Sequence, residues 1–115
     1  MRLKTDLDGR NSLQSTILDY YKERGRTARY FLESRDVDGG LCLHFLVDRK
    51  HVIRYSIGVD REVYVGAVEL GIGPHYFGPA AFWSYDDMER FSMEATTEAV
   101  IHNLKLLDEF WSGQE

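Results

Sequence analysis

The chain reads as a small α+β domain, and three features predict that class. Apolar residues recur at helical spacing near both ends. Between them, residues 28–70 alternate apolar and polar side chains with a period of two. Turn-forming residues punctuate this middle stretch at intervals too short for crossover helices, so its strands should pair antiparallel. At 115 residues with 43% hydrophobic side chains, one domain spanning 1–115 can bury a core without staples.

The first helix is predicted over 12–24. Asn11 followed three residues later by Gln14 has the form of a capping box. Leu13, Ile17, Leu18 and Tyr21 share one face, and Gly25 stands where a left-handed residue stops a helix.

Four strands of an antiparallel meander follow. Asp38-Gly39 suits a two-residue type I′ turn, which sets Val37 against Gly40, Leu32 against Phe45 and Tyr30 against Val47. Leu41, Leu43, Phe45 and Val47 then share a face with Ile53, Tyr55, Ile57 and Val59, provided that the loop between them has an odd count; Asp48-Arg49-Lys50 satisfies this. The same reasoning, with Asp60-Arg61-Glu62 as a loop, adds Val63, Val65 and Ala67 to that face. The opposite face then carries an apolar row, Phe31, Leu46, Val52 and Leu70, beside a polar row, Glu33, His44 and Arg54.

Residues 71–83 hold three glycines, two prolines and five aromatic or histidine side chains, and are expected to form an irregular loop. A short helix is predicted from Ser84, with Asp86 and Asp87 in its first turn. A last helix over 96–111 presents Ala99, Val100, Asn103, Leu104, Leu106, Leu107, Phe110 and Trp111 to the sheet, with Gly113 ending it. The short and C-terminal helices complete the order, with the C-terminal helix packed on one face of the sheet beside the first.

Charge is unevenly placed. Residues 1–61 carry 12 Lys/Arg and 9 Asp/Glu; residues 62–115 carry 2 and 10, which together give the net −5. An acidic half disfavours nucleic acid and anionic membrane and favours a basic protein partner. The lone Cys42 excludes an intrachain disulfide, and the opening residues lack the apolar stretch of a secretory signal, so a cytoplasmic location is expected. No apolar run has the length of a bilayer span.

Chemistry-bearing motifs are sparse. Gly71–Gly78 departs from phosphate-loop spacing, and Pro74 removes an amide such a loop needs. His44 and His51 fall on opposite faces, and His75 and His102 lack ligand spacing, so no metal and no cofactor are expected. Cys42 sits mid-strand with nothing to lower its pKa. Glu33, His44 and Arg54 could combine an acid, a base and an anion clamp, or could be an ordinary row of cross-strand pairs. The binding residues expected instead are Glu69, His75, Tyr76, Phe77, Trp83, Tyr85, Asp86, Asp87, Glu89 and Glu94, because aromatics dominate interface hot spots and the acids of this half outnumber its bases ten to two.

The order of elements, the acidic balance and the segment Phe82-Trp83-Ser84-Tyr85-Asp86-Asp87-Met88-Glu89-Arg90-Phe91 before an amphipathic helix resemble those of small bacterial immunity proteins. These neutralise polymorphic toxins, including those of contact-dependent inhibition systems. The resemblance implies a non-enzymatic protein whose partner is a cognate toxin domain, basic and nuclease-like, as a monomer or a homodimer. Two alternatives stand beside it. One is a type III secretion chaperone, whose usual helix between the third and fourth strands has no counterpart here. The other is a small enzyme or ligand-binding domain using Glu33, His44 and Arg54.

Overall fold

The computed structural model describes residues 1–36, 39–81 and 88–114, with side chains to Ser112. The architecture is α+β: an N-terminal helix, a five-stranded antiparallel sheet and a C-terminal helix. Helix α1 spans Leu7–Lys22. Strands β1 (Ala28–Arg35), β2 (Leu41–Val47), β3 (His51–Asp60), β4 (Val63–Ile72) and β5 (His75–Phe77) follow in spatial as well as chain order, and helix α2 spans Thr97–Gln114. No helix among the described residues is long and apolar enough to cross a membrane.

Helix α1 begins earlier than the sequence predicts. Asp6, not Asn11, is its cap, accepting the Gly9 amide at 2.8 Å, so Gln14 falls inside the helix. Its end matches expectation. Gly25 takes φ +68°, and the amides of Gly25 and Arg26 return to the carbonyls of Lys22 and Tyr21, closing the last turn as a left-handed residue permits. In α2 the side chain of Thr96 accepts the Ala99 amide at 3.1 Å. Of the predicted inward stripe, Ala99, Val100, Asn103, Leu104, Leu106, Leu107 and Trp111 are buried, and Phe110 is partly buried against the core. Gly113 does not stop the helix, which runs on to Gln114.

Both helices contribute to one core on one face of the sheet. Leu13, Ile17 and Tyr21 from α1 join Val100, Leu104 and Leu107 from α2 over Leu43, Phe45, Ile53, Tyr55 and Ile57. Polar contacts tie the layers. The Tyr20 hydroxyl donates to Asp108, whose other oxygen pairs with Arg26 at 2.6 Å, and Arg26 also holds Asp48 at 2.8 Å. Asn103, only 1% exposed, donates to the Tyr55 hydroxyl and to the Ser92 carbonyl and accepts the Ser92 amide, which satisfies its amide group.

The sheet departs from the predicted meander in three ways. First, β1 carries a bulge between Tyr30 and Leu32, so Tyr30 faces Phe45 and Leu32 faces His44. The bulge inserts one unpaired residue and reverses side-chain parity along the strand. The predicted pairs of Leu32 with Phe45 and Tyr30 with Val47 do not form; Val37 and Asp38 of the predicted turn lie outside the described residues. Second, β3 and β4 are joined by two residues rather than three. Arg61 and Glu62 adopt φ +51° and +70°, and Asp60 pairs with Val63. Both central residues of a type I′ turn need positive φ. Gly66, Val68 and Leu70 therefore face the helices, and Val63, Val65 and Ala67 face away, the reverse of the expected parity. The register of β2 with β3, across the three-residue loop 48–50, is as expected, with Phe45 opposite Ile53. Third, the stretch after Leu70 is not wholly irregular. Gly73 at φ +60° turns the chain into β5, and a 3₁₀ turn follows at Pro79–Ala81. The short helix predicted from Ser84 begins outside the described residues.

The free edge of β4 is partly covered. The Gly66 amide donates to the Met93 carbonyl, Val65 bridges Glu94, and Arg2 bridges Thr96, so the segment before α2 and the first residues of the chain lie along that edge.

Candidate functional site

The sheet face turned away from both helices carries a polar cluster. It is built by the bulge and the tight turn. Because the bulge flips parity, Ser34 rather than Glu33 lands beside His44, opposite Cys42. Because the β3–β4 turn has two residues, Glu69 lands opposite Arg54. Glu33 turns instead to the helix side, where Arg10 of α1 pairs with it at 2.7 Å and holds its carboxyl below the usual carboxylate range. The predicted polar row Glu33, His44, Arg54 is thus replaced by Ser34, His44, Arg54 and Glu69. The predicted apolar row also breaks. Leu46 and Val52 remain direct partners, Phe31 moves to the bulge, and Leu70 turns into the core.

Tyr76 completes the cluster from β5, three strands from the β2 strand of His44. It pairs with Gly71, which pairs with Val52. A Cβ on Gly71 would stand 3.0 Å from the Val52 side chain and 3.3 Å from the Tyr76 ring. Glycine there lets the tyrosine lie across the sheet. Its hydroxyl reaches His44 Nδ1 at 2.7 Å, while His44 Nε2 meets the Ser34 hydroxyl at 3.0 Å. The two hydroxyls satisfy the imidazole in either tautomer. Arg54 stacks over the Tyr76 ring at 4.3 Å and is held by two hydrogen bonds to Glu69 Oε1, at 2.7 and 2.9 Å.

His44 is 4% exposed. Burial, and then the charge of Arg54, push its pKa below the ordinary histidine range, so it is neutral at neutral pH. Burial raises that of Tyr76. Nearby, Ser56 donates to the buried Cys42 sulfur at 3.3 Å. The rim is apolar: Phe31, whose ring lies 6.0 Å from that of His44, and Leu32 are 45% and 48% exposed.

The residues expected to bind a partner divide into three groups. Glu69 and Tyr76 belong to this cluster. His75 and Phe77 flank Tyr76 on β5, both exposed, with their rings in edge contact; Phe77 pairs with Leu70 on the helix side. Glu89 and Glu94 lie exposed beside the β4 edge: Glu89 lines a cavity of about 630 Å³ with Gly66, Ala67 and Val68, and Glu94 bridges Val65. Trp83, Tyr85, Asp86 and Asp87 lie outside the described residues. Ser34 and its contact with His44 were not anticipated, since no local signal marks a bulge at Phe31.

Several acids of the C-terminal half are less isolated than their sequence neighbours suggest. Arg54 meets Glu69, Arg26 meets Asp108, Arg90 meets Glu109, and the terminal ammonium meets Glu98. Glu89 and Glu94 make no ion pair among the described residues. No group of three His, Cys, Asp or Glu side chains among the described residues is placed to hold a metal. A comparison of the chain with models of protein families, with curated proteins and with solved structures finds no match.

Proposed function

We propose that the chain is a binding protein of the immunity type, which neutralises a basic toxin domain by docking it on the open face of the sheet. The observation that carries this reading is the fixed centre of that face. Tyr76 and Arg54 are stacked on each other, pinned by His44 and Glu69, and bordered by exposed Phe31 and Leu32. Tyrosine and arginine are the side chains that most often anchor interfaces, and anchors held before contact lose little entropy on binding. Glu89 and Glu94, exposed beside the β4 edge, add the negative field that would draw a basic partner in. A partner that covers the Tyr76 centre and its apolar rim would bury on the order of 1,200–2,000 Å² in total.

The test is retention of a partner from the source cell by tagged protein, with Tyr76→Ala and Glu89→Lys/Glu94→Lys as companions. A basic protein that is toxic when expressed alone, and harmless when co-expressed with this chain, supports the reading. It should be lost with Tyr76→Ala. With the lysine pair it should associate about tenfold more slowly at low salt, and the difference should shrink as salt rises. Retention of the same protein by Tyr76→Ala with unchanged affinity removes the open face as the docking site.

A further inference from the structure

We propose that Ser34 is a nucleophile activated by His44, able to take an acyl group from a small aryl or short-chain ester. This goes beyond the binding reading and does not depend on it. Ser34 stands half-buried on the edge strand, two residues from the exposed Leu32, so its hydroxyl is reached across an apolar surface. Beneath it lies His44, with Nε2 3.0 Å from Ser34 Oγ and Nδ1 2.7 Å from the Tyr76 hydroxyl. This is the order nucleophile, base, orienting group that activated hydroxyls require. The tyrosine hydroxyl fills the third role. When Nδ1–H donates to Tyr76, the Nε2 lone pair faces the Ser34 hydroxyl. The same burial that hides the imidazole keeps it unprotonated at neutral pH, the form a base needs. Glu69, Arg54 and Tyr76 fix the ring in turn, each through a contact already described.

The reaction balances without a further reagent. The Ser34 proton passes to His44 Nε2 as Oγ bonds to the carbonyl carbon. The bond to the alcohol or phenol oxygen breaks, and that leaving group takes the proton from the imidazolium. Ser34 is left as its acyl ester. Water then gives a proton to Nε2 while its oxygen attacks the acyl carbon, and Ser34 Oγ leaves and recovers the proton. Phe31 and Leu32, exposed on the same strand and set beside His44, offer an apolar acyl or aryl group a contact that a charged one would not gain from.

The experiment uses the full chain at pH 7.5 with p-nitrophenyl acetate and, separately, an aryl fluorophosphonate, read by intact mass and peptide mapping. A single adduct on Ser34 is expected. Ser34→Ala should abolish it, and His44→Gln should slow it at least ~100-fold, the lower end of what a positioned base contributes. The labelling rate should rise as His44 loses its proton, with a midpoint below the ordinary histidine range. Wild-type protein of native circular dichroism that gives no Ser34 adduct overturns the proposal. So does a Ser34 adduct that forms at the same rate in His44→Gln.

Discussion

Replacing Gly71 by alanine tests the central geometry of the open face with one methyl group. Its Cβ would press on Val52 at 3.0 Å and on the Tyr76 ring at 3.3 Å. On Val52 the methyl meets the Cβ itself, which the strand backbone fixes, whereas on Tyr76 it meets a ring atom at the end of a rotatable side chain, so the movable neighbour is the tyrosine ring. Lifting that ring breaks the 2.7 Å contact with His44 Nδ1 and the stacking with Arg54. A buried nitrogen left without a partner costs about 1–3 kcal/mol, and a cation–π contact at a partly exposed site about 0.5–1 kcal/mol. Against this, alanine restricts the unfolded chain and returns about 0.4–1 kcal/mol. The net is a loss of about 0.5–3.5 kcal/mol. Urea denaturation with an unchanged slope measures it. Tyr76→Phe removes only the hydroxyl and should lose a similar amount. The double variant is decisive. If Gly71 acts through the Tyr76–His44 contact, the two losses overlap, and the pair together should cost little more than the larger alone. Additive losses, or a Gly71→Ala protein as stable as wild type, would refute the reasoning.

Other consequences follow from contacts away from Gly71. The depressed pKa of His44 means that the folded state resists its protonation. Its contribution to stability is therefore whole above the unfolded histidine pKa of about 6.5 and is lost as pH falls through the lower folded value. His44→Gln should flatten this arm of the stability–pH curve, above the range in which carboxylates titrate, as read by thermal melts from pH 7.5 to 5. Asn103→Ala removes all three hydrogen bonds that close residue 92 and Tyr55 against α2 and should lower stability by about 2–4 kcal/mol, measured in urea. Tyr55 is pushed up to about 12 by burial. Its neutral form thus supports the fold below about pH 10, and that support fades toward the folded value. Tyr55→Phe should melt less steeply with pH over that interval.

The elements of the fold were largely legible in the sequence, and the site was not. Periodicity placed both helices, the first four strands and the stripe of α2, because burying an apolar face leaves a pattern in the residues that do it. The β2–β3 register was legible too, since the loop 48–50 has the odd count that parity demands. The errors came from two places where one residue more or fewer reverses a strand. At Phe31 the bulge adds a residue to β1 without any glycine to announce it. At Arg61-Glu62 two long charged residues take left-handed conformations that such side chains seldom adopt. A local rule reads these positions as ordinary strand and as a three-residue loop. The tertiary pairing of β4 with β3, which buries Val68 and Leu70, overrides it.

These two irregularities decide which polar groups meet. Without the bulge, Glu33 would stand beside His44, and the row would hold two like-sized charges and an imidazole. With it, Glu33 goes to Arg10, and a neutral hydroxyl takes its place. With the two-residue turn, Arg54 receives Glu69 as a partner on its own face. Each charge is then matched locally, and His44 is left between two hydroxyls, where burial and the charge of Arg54 outweigh the upward pull of the Glu69 carboxylate. The open face thus combines a neutral, fully bonded imidazole at its centre with a stacked arginine and tyrosine at its side. A fixed centre of that kind suits the docking of a rigid partner, and its Ser34 edge is where chemistry, if the labelling succeeds, would be found. The same two backbone features are therefore the places where a single deletion, of Phe31 or of Arg61, would rearrange the face while leaving the helix-side core residues of β2 and β3 where they are.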